Sequence, residues 1–161
     1  MRAAGGGGGR RWPAFAAATW AFGFGGLSFA WALGSRLTLG TQALAIREHF
    51  RDADFVAVLW ATGALKVIAG LIALSLVLPF GRRVPRRLLV VAAWGTAVLL
   101  LSYGGLGWLQ ALSWQTGVTD VPRSVGPEAA RWKLSFWDPF WFLGGVLFLL
   151  AVLQSRRSGR E

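Results

Sequence analysis

Phe55–Pro79 reads FVAVLWATGALKVIAGLIALSLVLP, and Phe80–Arg87 behind it reads FGRRVPRR. About 20 apolar residues in a helix cross a hydrocarbon core roughly 30 Å thick. This run exceeds that length, and Lys66 is its one charge. A barrel strand would alternate apolar and polar residues with period two, and this stretch is solid. Inside lipid the backbone must satisfy its own hydrogen bonds, so the run is expected to be a helix. The four arginines that follow mark the side of the membrane on which it ends.

Three further runs lie around it. Trp12–Gly34 precedes Arg36, and Leu88–Leu112 carries no charge. The last, Pro139–Gln154, gains length from Phe136 and Trp137, and bilayers tolerate a few ångströms of mismatch. The expected architecture is all-α: a four-helix transmembrane bundle with spans at about 12–34, 55–79, 88–112 and 137–154. A Gly-rich basic tail (1–11) precedes the membrane domain (12–154), and a basic tail (155–161) follows it. The composition agrees, with 55% hydrophobic residues against 15% charged and a mean hydropathy of +0.50. Without cysteine there is no disulfide frame, thiolate metal site or cysteine nucleophile. The first span exceeds the 7 to 15 apolar residues of a signal peptide, so it is expected to stay attached.

Charge sets the orientation. The two tails and the 82–87 loop hold ten arginines and one acid, Glu161, for a net +9. The other two loops hold six basic and six acidic residues, and Lys66 supplies the remaining +1. Four spans with both termini cytoplasmic put every strongly basic segment inside, which is the positive-inside pattern. The net +10 is therefore topological, and no nucleic-acid partner is expected. Arg outnumbers Lys fifteen to two, the usage of GC-rich bacterial genomes. The expected location is a bacterial cytoplasmic (inner) membrane.

In the first outer loop, Leu39, Ala43, Ile46, Phe50 and Ala53 recur at helical spacing between charged residues. They predict a short interfacial helix capped by Thr41. Pro127 is placed to start a second such helix. The halves also resemble each other. Phe24-Gly25-Gly26-Leu27 matches Tyr103-Gly104-Gly105-Leu106, and Trp60-Ala61-Thr62-Gly63 matches Trp141-Phe142-Leu143-Gly144. Two parallel helical hairpins are the expected result.

Lys66 is the most informative single residue. It lies about 16 Å inside its helix at 1.5 Å per residue, too deep to reach water along its own stem. A mid-bilayer lysine costs about 2.5–3.5 kcal/mol, so it should face protein. Thr62, Gly63, Ala69, Gly70 and Ala73 share its face and are all small. Small faces are where membrane helices pack. No acid lies at its depth, which leaves Ser28, Ser102, Tyr103 and loosened carbonyls as partners. An anion or headgroup site is one reading, and a structural lysine satisfied by carbonyls and water is the other. In span one, Gly26, Ala30 and Gly34 recur at spacing four with Thr19 and Gly23 behind, a second small stripe usable within the chain or between chains. Asp138-Pro139 is a helix-start pair. Arg131 and Lys133 add outer-face charge above an aromatic floor. Seven of the ten tryptophans, among them Trp31, Trp60, Trp137 and Trp141, fall in the outer half. They serve as belt anchors or as the wall of an outward pocket.

The string Arg131-Trp132-Lys133-Leu134-Ser135-Phe136-Trp137-Asp138-Pro139-Phe140-Trp141, the Gly144-Gly145 pair, and Trp20-Ala21-Phe22-Gly23 through Trp31 resemble a known family. It is the bacterial domain-of-unknown-function family 3995, small four-helix membrane proteins common in actinobacteria. The resemblance covers about Trp12 to Leu153 and implies an integral membrane protein. It supplies no activity, catalytic residue, cofactor or metal. With no Ser-His-Asp set, paired carboxylates or nucleotide loop, the chain leans away from an enzyme. The expected function is binding or moving a lipid or small molecule, with Lys66, Tyr103, Arg131 and Asp138 as ligand residues and Gly23, Gly26, Ala30, Gly63 and Gly70 in helix packing. The alternatives are an accessory subunit on a partner helix or a second copy, and last a membrane enzyme on a lipid-like substrate.

Overall fold

The structure is a computed structural model that describes residues 11–157. Of the expected tails, 1–11 and 155–161, residues 1–10 and 158–161 lie outside the described residues, while 155–157 continue the last helix and are not tail. Everything regular among the described residues is helical. Helix α1 is Trp12–Ala32, α2 Leu44–Glu48, α3 Ala53–Ser75, α4 Arg86–Gln115, α5 Pro127–Trp132 and α6 Asp138–Arg157. Short 310 turns occupy Leu39–Thr41 and Pro79–Arg83.

Among the described residues three helical stretches are long and apolar enough to cross a membrane: α3, α4 and the continuous run Pro127–Ser155. The fourth long helix, α1, has 21 residues but one leucine among many Gly, Ala and Trp. It packs against both α3 and α6, so less of its surface needs to be greasy. Two close pairs, α1 with α3 and α4 with α6, form antiparallel hairpins joined through α1 and α6. Helices α3 and α4 touch each other sparsely. One apolar cluster joins Phe24, Trp31, Leu59, Leu100, Trp137 and Phe148. A second, at the arginine-rich end, joins Ala14, Leu76, Leu89 and Val152. The start of α1, the α3–α4 turn and the end of α6 therefore share one end of the molecule.

The first helix of each hairpin ends alike. Gly34 (φ +97°) and Gly117 (φ +73°) adopt the left-handed conformation that an L side chain resists. Ser35 N–H then bonds Ala30 O, and Val118 N–H bonds Ser113 O, closing the Schellman pattern on the last carbonyls.

The outer loops depart from expectation in three places. The predicted 39–53 helix breaks into the 310 turn and α2. The first N–H groups of α2, from Leu44 and Ala45, bond Val125 O and Ser124 O of the other outer loop, which docks the helix and ends its register. Thr41 is not a cap: its hydroxyl donates to Thr38 O and accepts the Trp137 indole N–H at 3.0 Å. Asp138 is the first residue of α6 but not the N-cap of a free helix start: its backbone is already helical and its N–H is bonded to Lys133 O. Instead α5 runs into α6 through a π-helical turn, Lys133–Trp137, so the second interfacial helix is the first part of a longer one. Pro139 has no N–H for the carbonyl four residues back, and its ring crowds that carbonyl. The wider turn, in which Asp138 N–H reaches Lys133 O, absorbs the mismatch without breaking the helix.

Candidate functional site between the hairpins

Glycines set the close approaches. On α1 a Cβ at Gly25 would lie 3.3 Å from Gly63 O and 3.4 Å from Lys66 Cβ. Gly63 and Gly70 of α3 sit beneath the Phe29 and Phe22 rings. On the second hairpin a Cβ at Gly104 would run into the backbone of Phe142 and lie 2.8 Å from Asp138 O. Helix α6 also meets α1, where Gly144 lies under the Trp20 indole. By contrast Gly23 and Gly26, both exposed, face nothing, and Ala30 is half-buried. This chain packs α1 through Gly25, not through that stripe. Gly25 and Gly104 are the pair carried by the internal repeat, which was the signal for them.

Lys66 is half-buried and points inward. Its ammonium donates to Ser28 Oγ at 2.8 Å, on a side chain 2% exposed. It stands 4.3 Å from the centre of the Phe24 ring and 5.5 Å from that of Trp141. Ring faces carry negative charge, and each such contact is worth about 0.5–2 kcal/mol out of water. No acid pairs with Lys66 among the described residues. Tyr103 of α4 meets the same Trp141 edge-on at 4.9 Å and is exposed. Lys66 from α3 and Tyr103 from α4 thus meet one indole, that of Trp141 on α6. Ser102, a third partner open in the sequence, is exposed.

The other two candidate residues lie elsewhere. Asp138 is 1% exposed, and its Oδ1 accepts from Lys133 Nζ at 3.0 Å. The carboxylate fills the space over Gly107, where a Cβ would lie 2.8 Å from Oδ1. Its Oδ2 is buried without a partner. Arg131 is exposed and borders a shallow depression with Glu128 and Trp132. Lys133, not Arg131, is the cation on Asp138. The π turn makes that reach, which α-helical spacing does not offer.

Of the outer-half tryptophans, Trp137 and Trp141 pack with Trp20, Phe24 and Phe140 rather than around a hollow, while Trp60, Trp108 and Trp132 are exposed. Trp20 meets Phe24, Phe140 and Trp141, and its N–H bonds Phe140 O at 3.1 Å. Phe24 stacks on Trp137 and meets Trp141 at 4.7 Å. A cavity of about 680 Å3 opens at the arginine-rich end. His49 Nδ1 lies 2.8 Å from Ala45 O, and no group of three metal-ligating side chains assembles among the described residues.

Long apolar helices, glycine-mediated approaches and a charge enclosed between hairpins define a membrane-type helical protein. The chain belongs to the family described as "Protein of unknown function (DUF3995)", whose model matches residues 21–148 of 161. The match contains Lys66, Tyr103, Arg131 and Asp138. No curated protein and no solved structure matches the chain.

Proposed function

We propose that the chain is a four-span protein of the bacterial cytoplasmic membrane, with both termini inside, that binds the polar head of a lipid or small molecule between its hairpins. Support for four spans comes from the antiparallel packing of α1 on α3 and α6 and from the gathering of basic segments at one end. The observation that carries the binding reading is Lys66. A mid-helix ammonium has three donors, and here one meets Ser28 Oγ while ring faces cover another side. A headgroup oxygen entering between α3 and α4, over Trp141 and beside Tyr103, would complete its coordination. Native mass spectrometry of the full chain from mild detergent tests this. Wild type is expected to carry one bound mass more than Lys66→Met carries. Equal retention by Lys66→Met, or a wild type without a bound mass, defeats the reading.

A second reading rests on a different observation. Gly23 and Gly26 leave α1 backbone bare on the outer surface, and bare glycine suits close helix–helix contact. An accessory role would show as a stable complex lost in Gly23→Leu and Gly26→Leu.

A further inference from the structure

We propose that the cavity at the arginine-rich end is a binding site for the phosphate of an anionic amphiphile. Four arginines line it, Arg11, Arg82, Arg83 and Arg86. They arrive from the start of α1 and from the whole α3–α4 turn. No acidic residue is among the described residues that line it. Leu76, Leu78 and Leu89 supply an apolar wall on the same cavity, so charge and grease face one space of about 680 Å3.

The cavity is built by specific contacts. A Cβ at Gly81 would run into the Ser75 carbonyl, so glycine lets the 79–83 turn fold back over the end of α3. Arg86, the first residue of α4, donates to Ser155 O of α6, a bond within the second hairpin that fixes one guanidinium beside the turn. Helix α4 begins here with no side-chain cap, and its first N–H groups add positive potential. Topology asks only for basic residues in this loop and does not ask them to converge. Arg87 belongs to the same cluster yet does not line the cavity. Arginine suits phosphate because its planar fork donates two parallel hydrogen bonds. Basic pockets between helices on the inner side of membranes hold acidic headgroups, and the leucine wall matches the glycerol and upper acyl carbons. This site sits past the C-terminal end of α3, whereas Lys66 is mid-helix, and it shares no residue with the Ser28–Lys66 contact and does not depend on it.

The experiment uses the full chain in mild detergent, with phosphatidylglycerol and phosphatidylcholine of identical acyl chains added at equal concentration, read by native mass spectrometry. Wild type is expected to retain phosphatidylglycerol over phosphatidylcholine. Arg82→Gln/Arg83→Gln is expected to lose that retention by at least about fivefold per arginine. Arg87→Gln, with the same loop and its own charge loss, is expected to keep it. If millimolar inorganic phosphate displaces the lipid mass, the site reads phosphate from the soluble pool. If the lipid resists phosphate, the amphiphile is the ligand. Equal retention of phosphatidylcholine, or a loss in Arg87→Gln as large as in Arg82→Gln/Arg83→Gln, overturns the proposal. Both variants change exposed side chains, so helicity by circular dichroism should match wild type.

Discussion

The hairpins α1–α3 and α4–α6 use one packing device and opposite electrostatics. Each first helix presents a glycine after an aromatic, Gly25 after Phe24 and Gly104 after Tyr103, and each ends on a left-handed glycine. Four residues beyond the aromatic they diverge. There α1 carries Ser28, whose hydroxyl accepts from Lys66. At that place α4 carries Gly107, and the empty volume is taken by the Asp138 carboxylate. In both, the second helix brings a charge to this level. In one it meets a neutral hydroxyl and ring faces, and in the other a full counter-charge from Lys133. A duplicated frame can thus hold one strictly paired charge and one with donors to spare.

The largest expected effect separates the two glycines of the repeat. Gly104→Val would drive atoms into the backbone of Phe142 and the Asp138 carbonyl, which cannot rotate away. It should destabilise by more than about 3 kcal/mol, beyond ordinary overpacking, and leave little folded protein by size-exclusion chromatography. Gly25→Ala meets atoms at 3.3–3.5 Å and should cost about 1 kcal/mol or less. Equal losses would mean that the hairpins are packed alike.

Next comes the counter-charge. Lys133→Met leaves Asp138, 1% exposed, as a buried carboxylate without a cation. About 3 kcal/mol is expected in denaturant titrations in mixed micelles. Adding Asp138→Asn should recover much of it, because the stranded charge is then gone. Failure of the double variant to recover would show that Lys133 acts by packing alone.

A smaller contrast concerns the glycines under rings. Gly144→Ala meets the Trp20 indole at 2.5–2.7 Å, and that indole is fixed by its bond to Phe140 O. About 1–3 kcal/mol is expected in the same titration. Gly63→Ala meets Phe29 as closely, but this ring is half-buried and can turn aside, so about 1 kcal/mol is expected.

Much of this frame was legible in the sequence. Helical class, the runs behind α3 and α4, the small face of α3 and the isolation of Lys66 followed from apolar length and helical spacing. The loops were not legible, because their structure comes from contacts distant in the chain. Thr41 serves Trp137 rather than its own helix, and α2 is held by Ser124 and Val125. Asp138-Pro139 misled for a related reason. Local capping rules assume a helix start, whereas a π turn let the chain continue and swung Lys133 onto the carboxylate. Of the candidate residues, Lys66 and Tyr103 meet around Trp141, a convergence that spacing along any one helix cannot show.

The smallest expected effect decides how far the two charges differ. Lys66→Met removes one hydrogen bond, worth about 0.5–1.5 kcal/mol, and two ring contacts of about 0.5–2 kcal/mol each. It also removes the roughly 2.5–3.5 kcal/mol cost of holding a lysine in mid-membrane. These magnitudes nearly cancel. Ser28 keeps its own bond to Phe24 O, so no polar group is stranded, unlike Asp138 in Lys133→Met. Stability should therefore change by less than about 1 kcal/mol while one bound mass is lost. A loss as large as that of Lys133→Met would make Lys66 a structural cation. The two hairpins would then differ only in the sign of the charge each one buries.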